Sequence, residues 1–508
     1  MRLPYLTPTE SATKKYIVAF RGLNYGEGYG DGELLDSRNM TTEQFPCLAQ
    51  CPVKAEVGRY SDATTMQAKN GLLVVSGDTV WFNDMFVGNV TPGRKQTAVI
   101  GNYIVIFPDK VYYNVAEKKF GSMEEYYEAK SKTLTFTDGE ITTTGADWPF
   151  RKGDAVEISG CTTAPENNKT VIIREVDGKK LTFYADTLTA CEEAGVVTVA
   201  RKVPDLDFIC ESNYRLWGTK DNTIYASKYS DPLNFAVFDG LSGDSYYIDV
   251  GSDGEFTGCI PYSSHICFFK ENTLHKLYGS KPSNFQVVTS QVYGVQAGSE
   301  RSMCIVNEQL LFKGVNGIYA YTGSVPELVS ECFGTARFSD AVAACDGERY
   351  YVSMRRGDAW GLYTYDVMRD IWLQEDETHA IDMAVLEGAV YILRDDGRIV
   401  KIDREADRRD IEWSATFCPF TETVNERKGY SKFHMRLALS AGAWIAVDVK
   451  TDRDQKWNRV YTTHNELEKT VSVPILPTRC DQVTVRIRGK GVCVVKAFIR
   501  EFTVGSDV

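Results

Sequence analysis

Few residues in this 508-residue chain stand at spacings that catalysis or ligand binding would need. Closely spaced glycines at 26–33 (GEGYGDGE) have the composition of a phosphate cradle, but such a loop must follow a strand and open a helix, and no helical pattern follows. GSDGE at 251–255 and RDDGR at 394–398 carry part of a calcium-loop series. Both lack the remaining ligands, and hairpin turns use the same residues. Cys47 and Cys51 in FPCLAQCP are the closest thiol pair, yet a zinc knuckle needs two more ligands. His265, His275, His379, His434 and His464 lie far from them in sequence and form no motif. No GxSxG elbow, HExxH helix or Walker loop occurs. The expectation is a protein that is not an enzyme, with no catalytic, cofactor-binding or metal-ligating residue. A basic stretch near the C-terminal end contains Arg427, Lys428, Lys432 and Arg436, then Arg486, Arg488 and Lys490. It could touch nucleic acid, but on alternating strands such charges commonly form the solvated face.

The elements that would hold these residues are strands. Aromatic residues make up 12% of the chain, and it has 41 glycines, a composition that suits pleated surfaces and tight turns. A helical pattern is nearly absent, with 121–132 (GSMEEYYEAKSK) the best short exception. From residue 58 one unit recurs: a polar turn, an apolar strand, a short turn, and a second apolar strand that commonly holds Tyr. It occurs at 70–90, 96–114, 212–228, 264–279, 307–323, 347–366 and 386–403. A lone hairpin cannot bury its own face, whereas radial stacking buries every face and leaves only short edges. The expected fold is therefore all-β: a β-propeller of about seven blades, with six or eight as alternatives. Two packed sandwiches would not explain the repeat.

The expected boundaries follow from breaks in that rhythm. Residues 1–57 read as an irregular, ordered arm with turns, and 58–125 as the first blades. Residues 126–203 alternate around a DGKK turn and read as a small β-barrel inserted in a blade-to-blade loop. Residues 204–408 hold the remaining blades, and 409–508 alternate at the spacing of a β-sandwich.

Charge and cysteine bound the setting. From Ile411 onward there are 15 basic and 11 acidic residues, a net +4; the whole chain carries −12, so the first 410 residues carry −16. An acidic body binds nucleic acid poorly and suits a surface that DNA passes without sticking. Thirteen scattered cysteines, many in apolar runs (Cys210, Cys267, Cys304), read as reduced, buried hydrophobes in a cytosolic product. No secretion signal or membrane-spanning run is legible.

Propellers include sialidases, whose repeated hairpin has an Asp two residues after Ser, then a Gly before an aromatic. Ser76-Gly77-Asp78-Thr79-Val80-Trp81 comes near but lacks the Gly after Asp and does not repeat. No carboxylate pair stands out for glycoside chemistry.

The segment SKYSDPLNFAVFDG (227–240), following NYRLWGTKDNTIYA, resembles a blade of the nozzle and packaged-DNA-stabilisation proteins of tailed bacteriophages. FRGLNYGEGYGDGELLDSRNMTTEQFPCL (20–48) resembles that group's opening, FKGVNGIYAYTG (312–323) a later blade, and SVPILPTRCDQVTVRIRGKG an appended sandwich. The resemblance implies a structural virion protein: a homo-oligomeric ring of six subunits below the head–tail adaptor and portal, in contact with other tail proteins. Double-stranded DNA would pass its lumen without sequence-specific binding, and before infection the ring would help retain the packaged genome. Localisation would be the virion tail, and the host cytoplasm during assembly. The inserted barrel and the sandwich depart from the minimal nozzle. Alternatives are a receptor- or glycan-binding tail protein and a propeller glycoside hydrolase.

Overall fold

A computed structural model describes residues 12–130, 133–184, 188–476 and 479–504. Among them, helix is limited to three-residue 3-10 turns such as Pro165–Asn167 and Glu300–Ser302. Everything else ordered is strand, and no helix is long and apolar enough to cross a membrane.

Seven antiparallel sheets of four strands dominate. Six are continuous in sequence, at 63–89, 96–122, 208–249, 256–291, 304–328 and 339–376. The seventh joins three strands from 380–403 to Val53–Arg59, which pairs antiparallel with Arg398–Asp403. Each recurrent hairpin of the sequence falls on one sheet. The 264–279 unit is His265–Lys270 paired with Thr273–Tyr278, and the 307–323 unit is Gln309–Gly314 paired with Gly317–Tyr321. Their middle strands are the most deeply buried, as in HICFFK and GIYAY, which have no exposed residue. Neighbouring sheets bury one another's faces; Trp217, Phe268 and Leu277 share one cluster, and Phe269, Phe312 and Tyr319 the next.

The first 57 residues depart from the expectation of an irregular arm. Thr13–Ile17 pairs with Cys493–Val504, and Glu33–Arg38 with Glu412–Phe417. The arm thus supplies strands to both C-terminal sheets, then closes the seventh four-stranded sheet. These strands carry no local signal because their partners lie more than 300 residues away. The C-terminal unit is two facing sheets whose inner residues, including Phe433, Met435, Val447, Val485 and Ile487, form one core. That core continues into the sixth sheet through Trp372 and Tyr350. Gly22 makes this close approach possible: it has φ +80°, and a Cβ there would meet the Trp372 carbonyl oxygen at 2.4 Å.

The 121–132 segment is not helical. Lys119–Ser122 ends the second sheet and Glu125–Ala129 opens the insert, pairing with Val197–Arg201; residues 131–132 lie outside the described residues. Strand pairing won here because each half of the segment finds a partner strand. The insert is one eight-stranded sheet curled around Phe136, Ile141, Val156, Ile173, Leu181 and Val199.

Candidate functional site

The seven four-stranded sheets converge on a central cavity of about 480 Å³. Its wall takes residues from the first strand of most of them: Gln67, Thr97, Cys210, Ile260, Ala343 and Met383, with Arg301 at the entry of the fifth sheet. Arg301 crosses to Asp382 of the seventh sheet at 2.6 Å. The same guanidinium donates to the carbonyl oxygens of Thr64, Ile381 and Lys95, the last at 2.6 Å. Asp382 also accepts the Met66 N–H at 2.8 Å. Burial outweighs the pairing, so the Asp382 carboxyl is raised above its ordinary range. The cavity is crossed by the Arg301–Asp382 bridge. It is far too small for a duplex whose major groove alone is about 12 Å wide.

A second cluster joins the insert to the third sheet through the segment on which the family resemblance begins. Asp154, with a fully buried carboxylate, accepts from Arg201 at 2.7 Å, Arg151 at 3.1 Å and the Asn234 amide at 3.1 Å. The Asn234 side chain in turn accepts the Ala155 N–H at 3.1 Å. Arg151 also reaches Asp231 at 2.5 Å. Val237 packs with Ala155 and Ile172 beside them. The Ser-Asp-Pro-x-Asn-Phe segment is thus the dock for the insert.

The third cluster lies on the outer face of a C-terminal sheet. Asp448 is buried and accepts from Arg459 at 2.6 Å and from Arg486 and Arg488 at 2.9 Å each. Against the upward push of burial, these hydrogen bonds hold its carboxyl below the ordinary range. Arg486 also lies 4.4 Å from the centre of the Trp457 ring. Three guanidinium groups on one carboxylate leave a positive face. Lys428 is not part of it: it is buried, with its ammonium on the Val424 carbonyl oxygen at 2.9 Å.

The other sequence candidates are occupied by their own chain. In 26–33 the Glu33 carboxylate takes the Gly30 N–H and the Asn24 amide, leaving that carboxylate where a phosphate would sit. In 251–255 the Ser252 carbonyl oxygen receives the Lys270 ammonium at 2.8 Å. In 394–398 Asp396 is held by Arg398, chiefly through their hydrogen bonds, which bring its carboxyl to about 2. His275 is buried between Ser252 and Thr289; burial, then the Lys270 charge, lowers it to about 4. No group of three His, Cys, Asp or Glu that could hold a metal occurs among the described residues. The sequence reading missed Arg301, Asp382, Asp154 and Arg201. A lone charge inside an apolar strand, as in AIDMAVL and VTVAR, was the available signal.

All thirteen cysteines are free thiols. Cys345 differs from the rest in its surroundings. Its sulfur accepts from the Cys304 thiol and from the Gly347 N–H, which lower it to about 7 against the push of burial. Burial holds Cys51, Cys161, Cys267, Cys332, Cys418 and Cys493 at about 12. Iodoacetamide should therefore label Cys345 first, with a rate that rises between about pH 6 and about pH 8 as its thiolate forms. Peptide mass spectrometry over a time course checks this, and equal labelling of the buried cysteines would contradict it.

Seven four-stranded sheets, most of which bring their first strand to one cavity, define the class of the molecule, an all-β protein of propeller type. No protein-family model and no curated protein matches the chain. Similar solved structures include the computationally designed Ika8 protein, 11% identical, with 70% of this chain and 99% of that one covered and a TM-score of 0.37. BamB from Moraxella catarrhalis is 10% identical, with 70% and 98% covered and a TM-score of 0.35. The N-terminal domain of Nup159 is 8% identical, with 76% and 99% covered and a TM-score of 0.26.

Proposed function

We propose that the chain is a structural virion protein of a tailed phage, a nozzle-type subunit that assembles as a ring of six around the DNA exit path. In this reading the seven sheets are the blades of one propeller and the insert is a small barrel on its third blade. The observation that carries the reading is where the buried charges lie. Three buried pairs sit at joints between bodies: Arg301–Asp382 across the axis, Arg201–Asp154 beneath the insert, and Lys54–Glu375 between the seventh and sixth sheets. Paired charges at joints fix geometry, which suits a rigid wall. The small, bridged axial cavity supports a conduit formed between subunits. An acidic propeller facing the basic Arg459–Arg486–Arg488 face of the next copy makes a head-to-tail contact that closes into a ring.

Purified protein should form closed rings in electron micrographs and sediment as one oligomer at low salt. It should dissociate as the screening length falls from about 10 Å at 0.1 M salt to about 3 Å at 1 M. A monomer at every ionic strength would overturn the reading.

A further inference from the structure

Where the closing strand of the seventh sheet hands over to the first sheet lies a shallow pocket of about 530 Å³ that touches none of the joints. Its chemistry comes from Arg59, Tyr60, Asp62, Asp78, Trp81 and Asp84. Local contacts fix the two aromatic rings. The Tyr60 N–H donates to the Gly397 carbonyl oxygen at 2.9 Å, and Gly397, at φ +78°, leaves room that a Cβ would fill at 2.0 Å from the Tyr60 carbonyl oxygen. The Tyr60 hydroxyl donates to Asp84 at 2.5 Å. The Trp81 indole N–H donates to the Thr79 hydroxyl at 2.9 Å. The rings stand 6.2 Å apart at 56° and form a corner, with the half-exposed Phe86 packed edge-on to Trp81.

The polar groups around this corner are unspent. Asp62 and Asp78 are exposed, and neither their carboxylates nor the Arg59 guanidinium has a hydrogen bond or ion pair among the described residues. Asp396, Asp207 and Asp109, by contrast, are engaged by Arg398, Lys220 and Lys95. Three carboxylates and one guanidinium repel an anion, and an apolar ligand would desolvate the carboxylates without hydrogen bonds. A ring with one C–H face and many hydroxyls fits both halves of the pocket. Its C–H edge, slightly positive, lies on the negative face of an aromatic ring, and its hydroxyls donate to acceptor-only carboxylates.

We propose that this pocket binds a saccharide, one pyranose ring stacking on Trp81 while its hydroxyls donate to Asp62 and Asp78. The site is independent of the ring assembly above: it adds recognition of a polysaccharide surface to a structural subunit.

The test is a tryptophan-fluorescence and saturation-transfer NMR titration of full-length protein. The probes are short oligomers of glucose, galactose, N-acetylglucosamine and rhamnose, with tetramethylammonium chloride as a competitor. At least one oligosaccharide should saturate with a dissociation constant near the millimolar range, and Trp81→Ala and Asp78→Asn should each weaken it by about tenfold or more. Asp78 is an exposed turn residue, so Asp78→Asn keeps the test valid if Trp81→Ala disturbs the sheet. No saturable binding by any of the sugars, saturable binding of tetramethylammonium alone on the aromatic faces, or sugar binding indifferent to both substitutions would each overturn the proposal.

Discussion

Replacing Arg301 with Met is expected to destabilise the protein by about 3–5 kcal/mol, the usual result of stripping a buried carboxylate of its counter-charge. Asp382 would keep only the Met66 and Met383 N–H donors. Three backbone carbonyl oxygens, of Thr64, Ile381 and Lys95, would lose their shared donor. Because that guanidinium ties the fifth sheet to the seventh and first sheets and to the link before the second, the damage should spread around the axis. Arg301→Lys should not rescue, since one ammonium cannot reproduce a planar fork on four sides. The double variant Arg301→Met/Asp382→Leu should lose less than Arg301→Met alone, because it removes the orphaned charge as well. Chemical denaturation followed by tryptophan fluorescence measures all three. A single variant as stable as the parent would mean that solvent reaches the axis and screens the pair.

The hairpins were legible in sequence because everything they need is local. Asp221 takes φ +50° and Asn213 φ +52° at turns, conformations that Asp and Asn tolerate, and the strands on either side pair within a few residues. Counting such units led directly to the sheets. The arm was opaque for the opposite reason. ELLDSR at 33–38 alternates weakly, and its partner WSATF lies near 415, so no window around it shows a ladder. The closing strand was hidden in the same way: VKAEVGR has no fully buried residue and mixes three charges with valine, alanine and glycine, as an outer strand can. The 121–132 segment misled because EEYYEAK has helix-forming composition, and only its pairing with Val197–Arg201 decides otherwise.

The joints were the least legible part of the candidate site, although their residues stood in plain view. Asp154 precedes an apolar run and Arg201 ends one, which local reading takes for ordinary strand-end polarity. Tertiary structure makes them partners across 47 residues and adds Asn234 from a third segment. Conversely, the conspicuous glycine and aspartate loops were conspicuous because turns use those residues. Rarity of context, a charge where the period asks for a hydrophobe, was the better guide than familiarity of composition.

That reasoning gives the second large effect, at the base of the insert. Arg201→Met should remove about 3–5 kcal/mol from the insert while leaving the propeller nearly untouched. The carboxylate of Asp154 is fully buried, and its remaining cation, Arg151, is about half exposed and therefore a weak substitute. Arg201 also donates through Nε and Nη2 to the Met123 carbonyl oxygen at 3.3 and 3.2 Å, so its loss frees the chain where it enters the insert. A unit of this size commonly has only 5–15 kcal/mol of stability, so the loss should appear as a separate early transition on heating. Limited proteolysis should then cut inside 126–203 while the seven four-stranded sheets stay intact. Adding Asp154→Asn should restore much of the loss, since a neutral amide keeps the Asn234 contact without stranding a charge. If the single variant instead lowers one cooperative transition for the whole chain, the insert is not a separable unit, and the Asn234 dock binds it into the propeller as one body.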